Sequence, residues 1–156
     1  MSLQSNLINI VLVETSHPGN IGSVARAMKT MGLSRLSLVN PRNFPSGEAN
    51  ALSGNATDVL ENASVFTSIE EAIKDSTYVY ATSSRNRTIQ WPTLNSEQAA
   101  STICDQSNNK KGVSILFGRE DRGLTNEELQ LANTHIEIPA NPEYLSLIHI
   151  SEPTRR

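Results

Sequence analysis

The sequence has 156 residues, of which 37% are hydrophobic and 19% charged, and a formal net charge of −3. This size and composition predict one soluble globular domain, and the acidic balance excludes a general electrostatic attraction to nucleic acid. Cys104 is the single cysteine, so an internal disulfide is excluded, and no apolar run is long enough to span a bilayer. With no signal-peptide pattern at the N-terminus, the chain is expected in the cytoplasm, without membrane contact.

Short β-rich runs alternate with helical patterns along the chain. The predicted strands are Ile8–Val13, Arg35–Val39, Val65–Phe66, Tyr78–Ala81, Val113–Phe117 and His135–Ile138. Three pairs have the spacing of helix-capping residues, namely Ser68 with Glu71, Asn95 with Gln98, and Thr125 with Glu128. The alternation predicts an α/β domain with a mainly parallel sheet covered by helices.

The stretch HPGNIGSVARAMKTMG, residues 17–32, follows the first strand and opens with two glycines. It resembles a dinucleotide-binding turn, but G-x-G-x-x-G is incomplete and the second strand ends in Asn40 and Pro41 instead of an acidic residue. Asn20 instead suits a helix N-cap, and Gly32 suits the position after the helix end. The buried stripe of this helix is predicted to be Ile21, Val24, Ala25 and Met28. The two glycines are therefore predicted to shape a tight turn, not to cradle phosphate.

Three arginines stand out near the predicted loops. Arg26 lies off the apolar stripe, and spacing alone favours a solvent-exposed surface arginine over a catalytic one. Arg85 and Arg87 follow the fourth strand and form the most pronounced local basic cluster. The default interpretation is that they are solvated surface charges, and the alternative is that they contact phosphate. The three histidines lack metal-ligand spacing, so no metal site is predicted.

Polar loops follow five of the predicted strands, at residues 14–16, 40–42, 82–85, 118–121 and 139–142. Loops are commonly polar, and any one of them would carry no functional inference. Because the carboxyl ends of parallel strands meet at one edge of the sheet, five such loops together favour a ligand site there.

Four segments in register resemble the SPOUT superfamily of RNA 2′-O-methyltransferases. They are LVETSHPGNIGSVARAMKTMGLSRLSLVNPR, ATSSRNRT, LFGREDRGLTNEEL and IEIPANPEYLSL, and the likeness runs from about Ile8 to Leu147. Within the superfamily, the segments are most similar to the bacterial enzymes that methylate cytidine or uridine 32 in the tRNA anticodon loop.

The resemblance implies a Rossmann-like sheet with a C-terminal trefoil knot, S-adenosylmethionine as cofactor, tRNA as substrate and a homodimer. Arg26 matches the arginine that acts on the ribose 2′-hydroxyl, and Arg85 and Arg87 resemble loop arginines that meet RNA. The cofactor-binding residues that it implies are Thr82, Ser83, Ser84, Gly118, Arg119, Glu120, Ile138, Leu145, Ser146 and Leu147.

The likeness ends near Leu147, so residues 1–147 are assigned to the SPOUT domain and residues 148–156 to a tail outside it. Where the family continues with SLN and an apolar helix, this chain reads SLIHISEPTRR, and Pro153 argues against a helix. Because that helix completes the knot and much of the dimer surface, the knot and the cofactor site are expected to be incomplete. The alternative to tRNA 2′-O-methylation is therefore an inactive or RNA-binding α/β fragment.

Overall fold

A computed structural model describes residues 7–84 and 92–138. Within these ranges the strands are β1 (Ile8–Val13), β2 (Arg35–Val39), β3 (Ser64–Phe66), β4 (Tyr78–Ser84), β5 (Thr93–Leu94), β6 (Val113–Phe117) and β7 (Thr134–Ile138). They form one sheet in the order β3-β2-β1-β6-β4-β7-β5, and every pairing between neighbouring strands is parallel. The predicted Rossmann-like α/β architecture is confirmed.

Helices cover both faces of the sheet. They are α1 (Pro18–Thr30), α2 (Gly47–Leu52), α3 (Thr57–Glu61), α4 (Ile69–Ile73), α5 (Ser96–Asn108) and α6 (Asn126–Leu129). Buried residues of α1 and α5 share one hydrophobic cluster, and those of α4 and α6 share the other. Across residues 7–84 and 92–138, no helix is both long and apolar enough to cross a membrane.

All six predicted strands are present, and β3, β4 and β7 are longer than predicted. The two-residue strand β5 was not predicted, because so short a run carries no periodicity. Two of the predicted capping pairs form reciprocal capping boxes, at Asn95 with Gln98 and at Thr125 with Glu128.

Strand β1 lies in the interior of the sheet, between β2 and β6, and is buried over its whole length. Its alternate side chains reach opposite faces, so that Ile10 joins the cluster below α1 and Val11 joins the one below α4. The polar Asn9 is fully buried, and it donates to the carbonyl of Ala72 and to Ser114 Oγ, both at 3.0 Å. Ser37 Oγ donates to Asn9 Oδ1 at 2.7 Å, so the side chain of Asn9 is satisfied and fixes the alignment of the central strands.

The start of α1 differs from its prediction. The N-cap is His17, Pro18 stands at the first helical position, and Asn20 lies inside the first turn. The N-cap prediction for Asn20 was wrong because Pro18, a proline with preset φ, begins the helix three residues earlier than that prediction implies. At the other end, Gly32 has φ +79° and follows the C-cap Met31, as predicted.

The two glycines of α1 are buried helical residues, so the tight-turn prediction was also wrong. A Cβ at Gly22 would overlap the backbone carbonyl of Ala49 in α2, and one at Gly19 would press on Leu52. The glycines therefore permit a close crossing of α1 and α2. Five of the sequence-predicted site residues, Arg85, Arg87, Leu145, Ser146 and Leu147, lie outside the described residues, as do the tail 148–156 and the expected knot.

Candidate functional site

Three neighbouring strands end at one edge of the sheet and bring several predicted site residues together. Ser84 pairs with Ile138 at the ends of β4 and β7, while Ala81 of β4 pairs with Leu116 of β6. Residues 82–84, Gly118 and Ile138 therefore lie side by side at the carboxyl edge. Thr82 Oγ1 donates to the carbonyl of Leu116 at 3.1 Å, which ties β4 to β6 beside this edge.

Strand β6 runs into a tight turn over residues 118–123. The amide of Gly123 donates to the carbonyl of Arg119 at 2.8 Å, and the amide of Arg119 donates back to Gly123 at 3.2 Å. A Cβ at Gly118 would overlap the backbone of Gly123 and Leu124. Glycine is required at position 118 because the turn closes directly against it.

Arg119 is held by two carboxylates on one side of this turn. Its Nη1 and Nη2 each donate to Glu128 at 2.9 Å, and its Nε donates to Glu14 at 3.1 Å. The hydrogen bonds between the pair raise the pKa of Arg119 and lower the pKa of Glu128. Both groups are therefore charged near neutral pH, and the turn is joined to the end of β1 and to α6.

Glu120 faces the other way and accepts hydrogen bonds from the start of α1. Its Oε1 accepts from the amide and hydroxyl of Ser16, at 3.2 and 3.0 Å. Its Oε2 accepts from the amide of His17 at 3.3 Å and from Asn20 Nδ2 at 2.8 Å. Burial by itself would raise the pKa of Glu120, but the hydrogen bonds from Asn20 and Ser16 outweigh it and leave the pKa below its ordinary value.

Arg26 is exposed and lies on the third turn of α1. At 1.5 Å per residue it is about 12 Å along the axis from Pro18. Its Cδ lies 3.8 Å from the position that a Cβ would take on Gly54, so the side chain runs beside the α2–α3 connection. Within the described part of the chain, no acidic side chain pairs with its guanidinium, which is open to solvent or to a bound anion.

A separate cleft of about 290 Å³ opens over the ends of β1 and β2. It lies at the carboxyl ends of parallel strands, where α/β sheets commonly bind ligands, and it adjoins the β1–β6 pair at which the strand order reverses. Four of its lining residues are the carboxylates Glu14, Glu70, Glu127 and Glu128. Glu14 and Glu128 are paired with Arg119, and Glu70 and Glu127 leave the lining with an acidic excess that disfavours phosphate.

The edge formed by β4, β6 and β7 has a different chemistry. It consists of paired strand ends, with the half-buried side chain of Ile138 among them. The charged side chains of the adjoining turn, Arg119 and Glu120, are already engaged with protein groups. Backbone groups beside apolar surface suit a nucleoside-like ligand held without a phosphate contact.

Sequence reasoning missed the contacts that organise this region. The capping pair of Thr125 and Glu128 was visible from spacing, but nothing in the sequence showed that Glu128 also binds Arg119. The contact between Asn20 and Glu120 joins residues 100 positions apart, beyond the reach of local patterns.

Comparison with known proteins places this geometry in a family. The sequence profile of the SpoU rRNA Methylase family matches residues 7–147. The chain is 50% identical over 140 residues to the tRNA (cytidine/uridine/adenosine-2′-O-)-methyltransferase TrmJ of Pseudomonas aeruginosa, covering 90% of this chain and 54% of the relative. It is 51% identical to the tRNA (cytidine/uridine-2′-O-)-methyltransferase TrmJ of Pectobacterium atrosepticum, again over 140 residues, with 90% and 58% covered.

Among solved structures, that of TrmJ from Z. mobilis ZM4 superimposes with a TM-score of 0.81 at 38% identity. The match covers 95% of this chain and 69% of that protein. The chain spans about half the length of the curated relatives that it matches.

Proposed function

The chain belongs to the SpoU rRNA Methylase family, and from this premise we propose that it transfers a methyl group from S-adenosylmethionine to a ribose 2′-hydroxyl of tRNA. The target that we propose is cytidine or uridine 32 of the anticodon loop. The proposal rests on the sequence identity of 50–51%, over 90% of the chain, to tRNA 2′-O-methyltransferases.

The cofactor is proposed to bind at the ends of β4, β6 and β7. Residues 82–84, 118–120 and Ile138 would hold it together with residues 145–147, of which the last three lie outside the described residues. The half-buried strand ends, with the apolar side chain of Ile138 beside them, would face the adenosine part of the cofactor. When bound, S-adenosylmethionine supplies an electrophilic methyl carbon on a sulfonium.

Arg26 is proposed as the residue that acts on the ribose. A 2′-hydroxyl is a poor nucleophile until its proton is withdrawn, and an arginine stays protonated near neutral pH, so it is no simple base. Its guanidinium would stabilise the developing alkoxide or hold an adjacent phosphate that helps to accept the proton. The exposure of Arg26 and the lack of an acidic partner within the described residues leave it available for either role.

RNA contact is proposed for Arg85 and Arg87. The chain carries a net charge of −3, so affinity for tRNA must come from local groups of this kind or from two copies that join their basic clusters. A homodimer, a C-terminal trefoil knot and a cytoplasmic location belong to the same proposal. So does the assignment of residues 1–147 to the catalytic domain.

A titration by isothermal calorimetry tests the cofactor part of the proposal. In a version that carries the family's sequence after Leu147 in place of residues 148–156, S-adenosylmethionine is expected to give a saturable binding curve. ATP at the same concentration is expected to give no heat, because the site has no cradle for phosphate, and the 156-residue chain itself is expected to bind the cofactor poorly. Heat from neither ligand, in a chain that still binds tRNA, would favour the RNA-binding fragment over the enzyme.

A further inference from the structure

We propose that Glu120 is a positioning residue whose carboxylate fixes the start of α1 and, through that helix, the placement of Arg26. The importance of Arg26 rests on the proposed function, whereas the contact between Glu120 and α1 is visible without it. The resemblance to the SPOUT superfamily implies a cofactor-binding role for Glu120, and the contacts of its carboxylate limit what form that role can take.

The carboxylate of Glu120 has no free capacity for a ligand. An ionised carboxylate offers about four acceptor sites, two on each oxygen. Oε1 accepts from both the amide and the hydroxyl of Ser16, and Oε2 accepts from His17 and Asn20. All four sites are used within the protein, so only the backbone of Glu120 remains to face the cofactor edge.

Helix α1 needs this carboxylate because it lacks an N-terminal cap of its own. The N-cap His17 makes no side-chain capping bond, and the first turn contains no acidic residue. A helix N-terminus has unpaired amides and a partial positive charge, both of which a carboxylate stabilises. Glu120 accepts from the amides of Ser16 and His17, just before the helix, and from the side chain of Asn20 in its first turn, so it anchors the helix start from a different element.

The neighbouring residue Arg119 strengthens this attachment. It binds Glu14 at the end of β1, while Glu120 binds Ser16 and His17 two and three residues later. The connection between β1 and α1 is therefore held at both of its ends by one turn, which begins at Gly118 on the proposed cofactor edge. A change of tilt at the start of α1 would displace Arg26, which lies about 12 Å farther along the axis.

Hydrogen–deuterium exchange on the full 156-residue chain, without any ligand, tests the contact directly. The variant Glu120→Gln keeps the length of the side chain but turns one acceptor oxygen into a donor that faces Asn20. Exchange over residues 16–26 is expected to accelerate about tenfold, while strand β6 keeps its protection. Glu127→Gln, which alters an exposed glutamate of α6, is the matched control and should leave exchange unchanged.

A double variant that exchanges the hydrogen-bond donor and acceptor at positions 20 and 120 distinguishes positioning of α1 from a general loss of stability. In Asn20→Asp combined with Glu120→Gln, the donor and the acceptor exchange places in the contact between positions 20 and 120, and of the four hydrogen bonds only the one from the amide of His17 is lost. The new carboxylate still lies in the first turn of α1. The double variant is expected to bring exchange over residues 16–26 back to within about threefold of the parent chain. Unchanged exchange in Glu120→Gln, or no recovery in a folded double variant, would overturn the proposal.

Turnover then connects the contact to the reaction. In a chain that methylates tRNA, Glu120→Gln is expected to lower kcat while the Kd for S-adenosylmethionine stays nearly unchanged, and the double variant is expected to recover kcat. A loss of cofactor affinity with normal kcat would assign Glu120 to cofactor binding and refute positioning. If a version that carries the family's sequence after Leu147 transfers no methyl group, the proposed function fails, and the exchange experiment still decides whether Glu120 positions α1.

Discussion

Arg119 and Glu128 form two parallel hydrogen bonds, each 2.9 Å long, between the turn after β6 and the first turn of α6. Their side chains are only 14% and 17% exposed. Glu128 at the same time accepts from the amide of Thr125 at 2.7 Å and completes the capping box of α6. One carboxylate therefore stabilises both the helix start and the turn that adjoins the candidate site.

Removal of the Arg119 side chain should destabilise the fold. Arg119→Ala is expected to lower the free energy of unfolding by about 1–3 kcal/mol, because it leaves Glu128 partly buried without its charged partner. Urea denaturation measures the change. The control is Arg122→Ala, whose side chain is 78% exposed and lies 3.9 Å from Asp121; it should cost less than about 0.5 kcal/mol. Equal losses in the two variants would contradict this account of the pair.

Acid should lower the free energy of unfolding, because it protonates Glu120 and Glu128. The pKa of each lies below the ordinary value of 4.5, so the unfolded chain binds protons more readily than the folded one. Their stabilisation is complete above that value and is lost as the pH falls through the lower pKa values of the folded state. Urea titrations between neutral pH and pH 3 should show this decline, with a shallower slope in Glu120→Gln. A slope unaffected by Glu120→Gln would show that the hydrogen bonds do not shift its titration.

Local patterns in the sequence predicted most of the fold. Alternating apolar runs located six strands, and short-range spacing located the capping boxes at Asn95 and Thr125. The errors arose where a distant element decides the local structure. Gly22 is a glycine because the carbonyl of Ala49 crosses it, and Asn20 faces Glu120 from 100 residues away.

For the candidate site, too, the sequence predicted which strand ends lie together but not the side-chain contacts beside them. Parallel strand order brings residues 82–84, Gly118 and Ile138 to one edge, as strand–helix alternation implied. The engagement of the Arg119 and Glu120 side chains with protein groups was not predictable, because it depends on packing between three connections. Which residues meet the cofactor and the RNA stays a prediction.

The crossing of α1 and α2 should tolerate no side chain at position 22. Gly22→Ala places a methyl group against the backbone carbonyl of Ala49, and the expected loss of about 1–3 kcal/mol from overpacking exceeds the gain of about 1 kcal/mol in helix propensity. Thermal and urea unfolding measure the net change. Gly47→Ala, at the first position of α2 with no atom within 4 Å of the added Cβ, is the control and should be neutral or slightly stabilising. A stabilised Gly22→Ala variant would contradict the close crossing.

The basic cluster at Arg85 and Arg87 should govern the salt dependence of tRNA binding. If each arginine contacts one phosphate, the double alanine variant should weaken binding and reduce the slope of log K against log salt by about two at most. Filter binding over a range of salt concentrations measures the slope. Alanine at Lys110 and Lys111, two exposed cations after α5, is the matched control for loss of charge alone. Equal slopes in the parent chain and the Arg85/Arg87 variant would assign these arginines to solvated surface charge.

Methyl transfer from tritiated S-adenosylmethionine to unmodified tRNA, followed by nucleoside analysis, tests the central claim most directly. In a version that carries the family's sequence after Leu147 in place of residues 148–156, the label is expected on the ribose of cytidine or uridine 32, whereas the 156-residue chain is expected to transfer little or none. Arg26→Ala is expected to abolish the transfer while cofactor affinity and the free energy of unfolding stay nearly unchanged, because the exposed side chain contributes little to packing. Turnover retained in Arg26→Ala, or label found on a base instead of a ribose, would contradict the proposed mechanism.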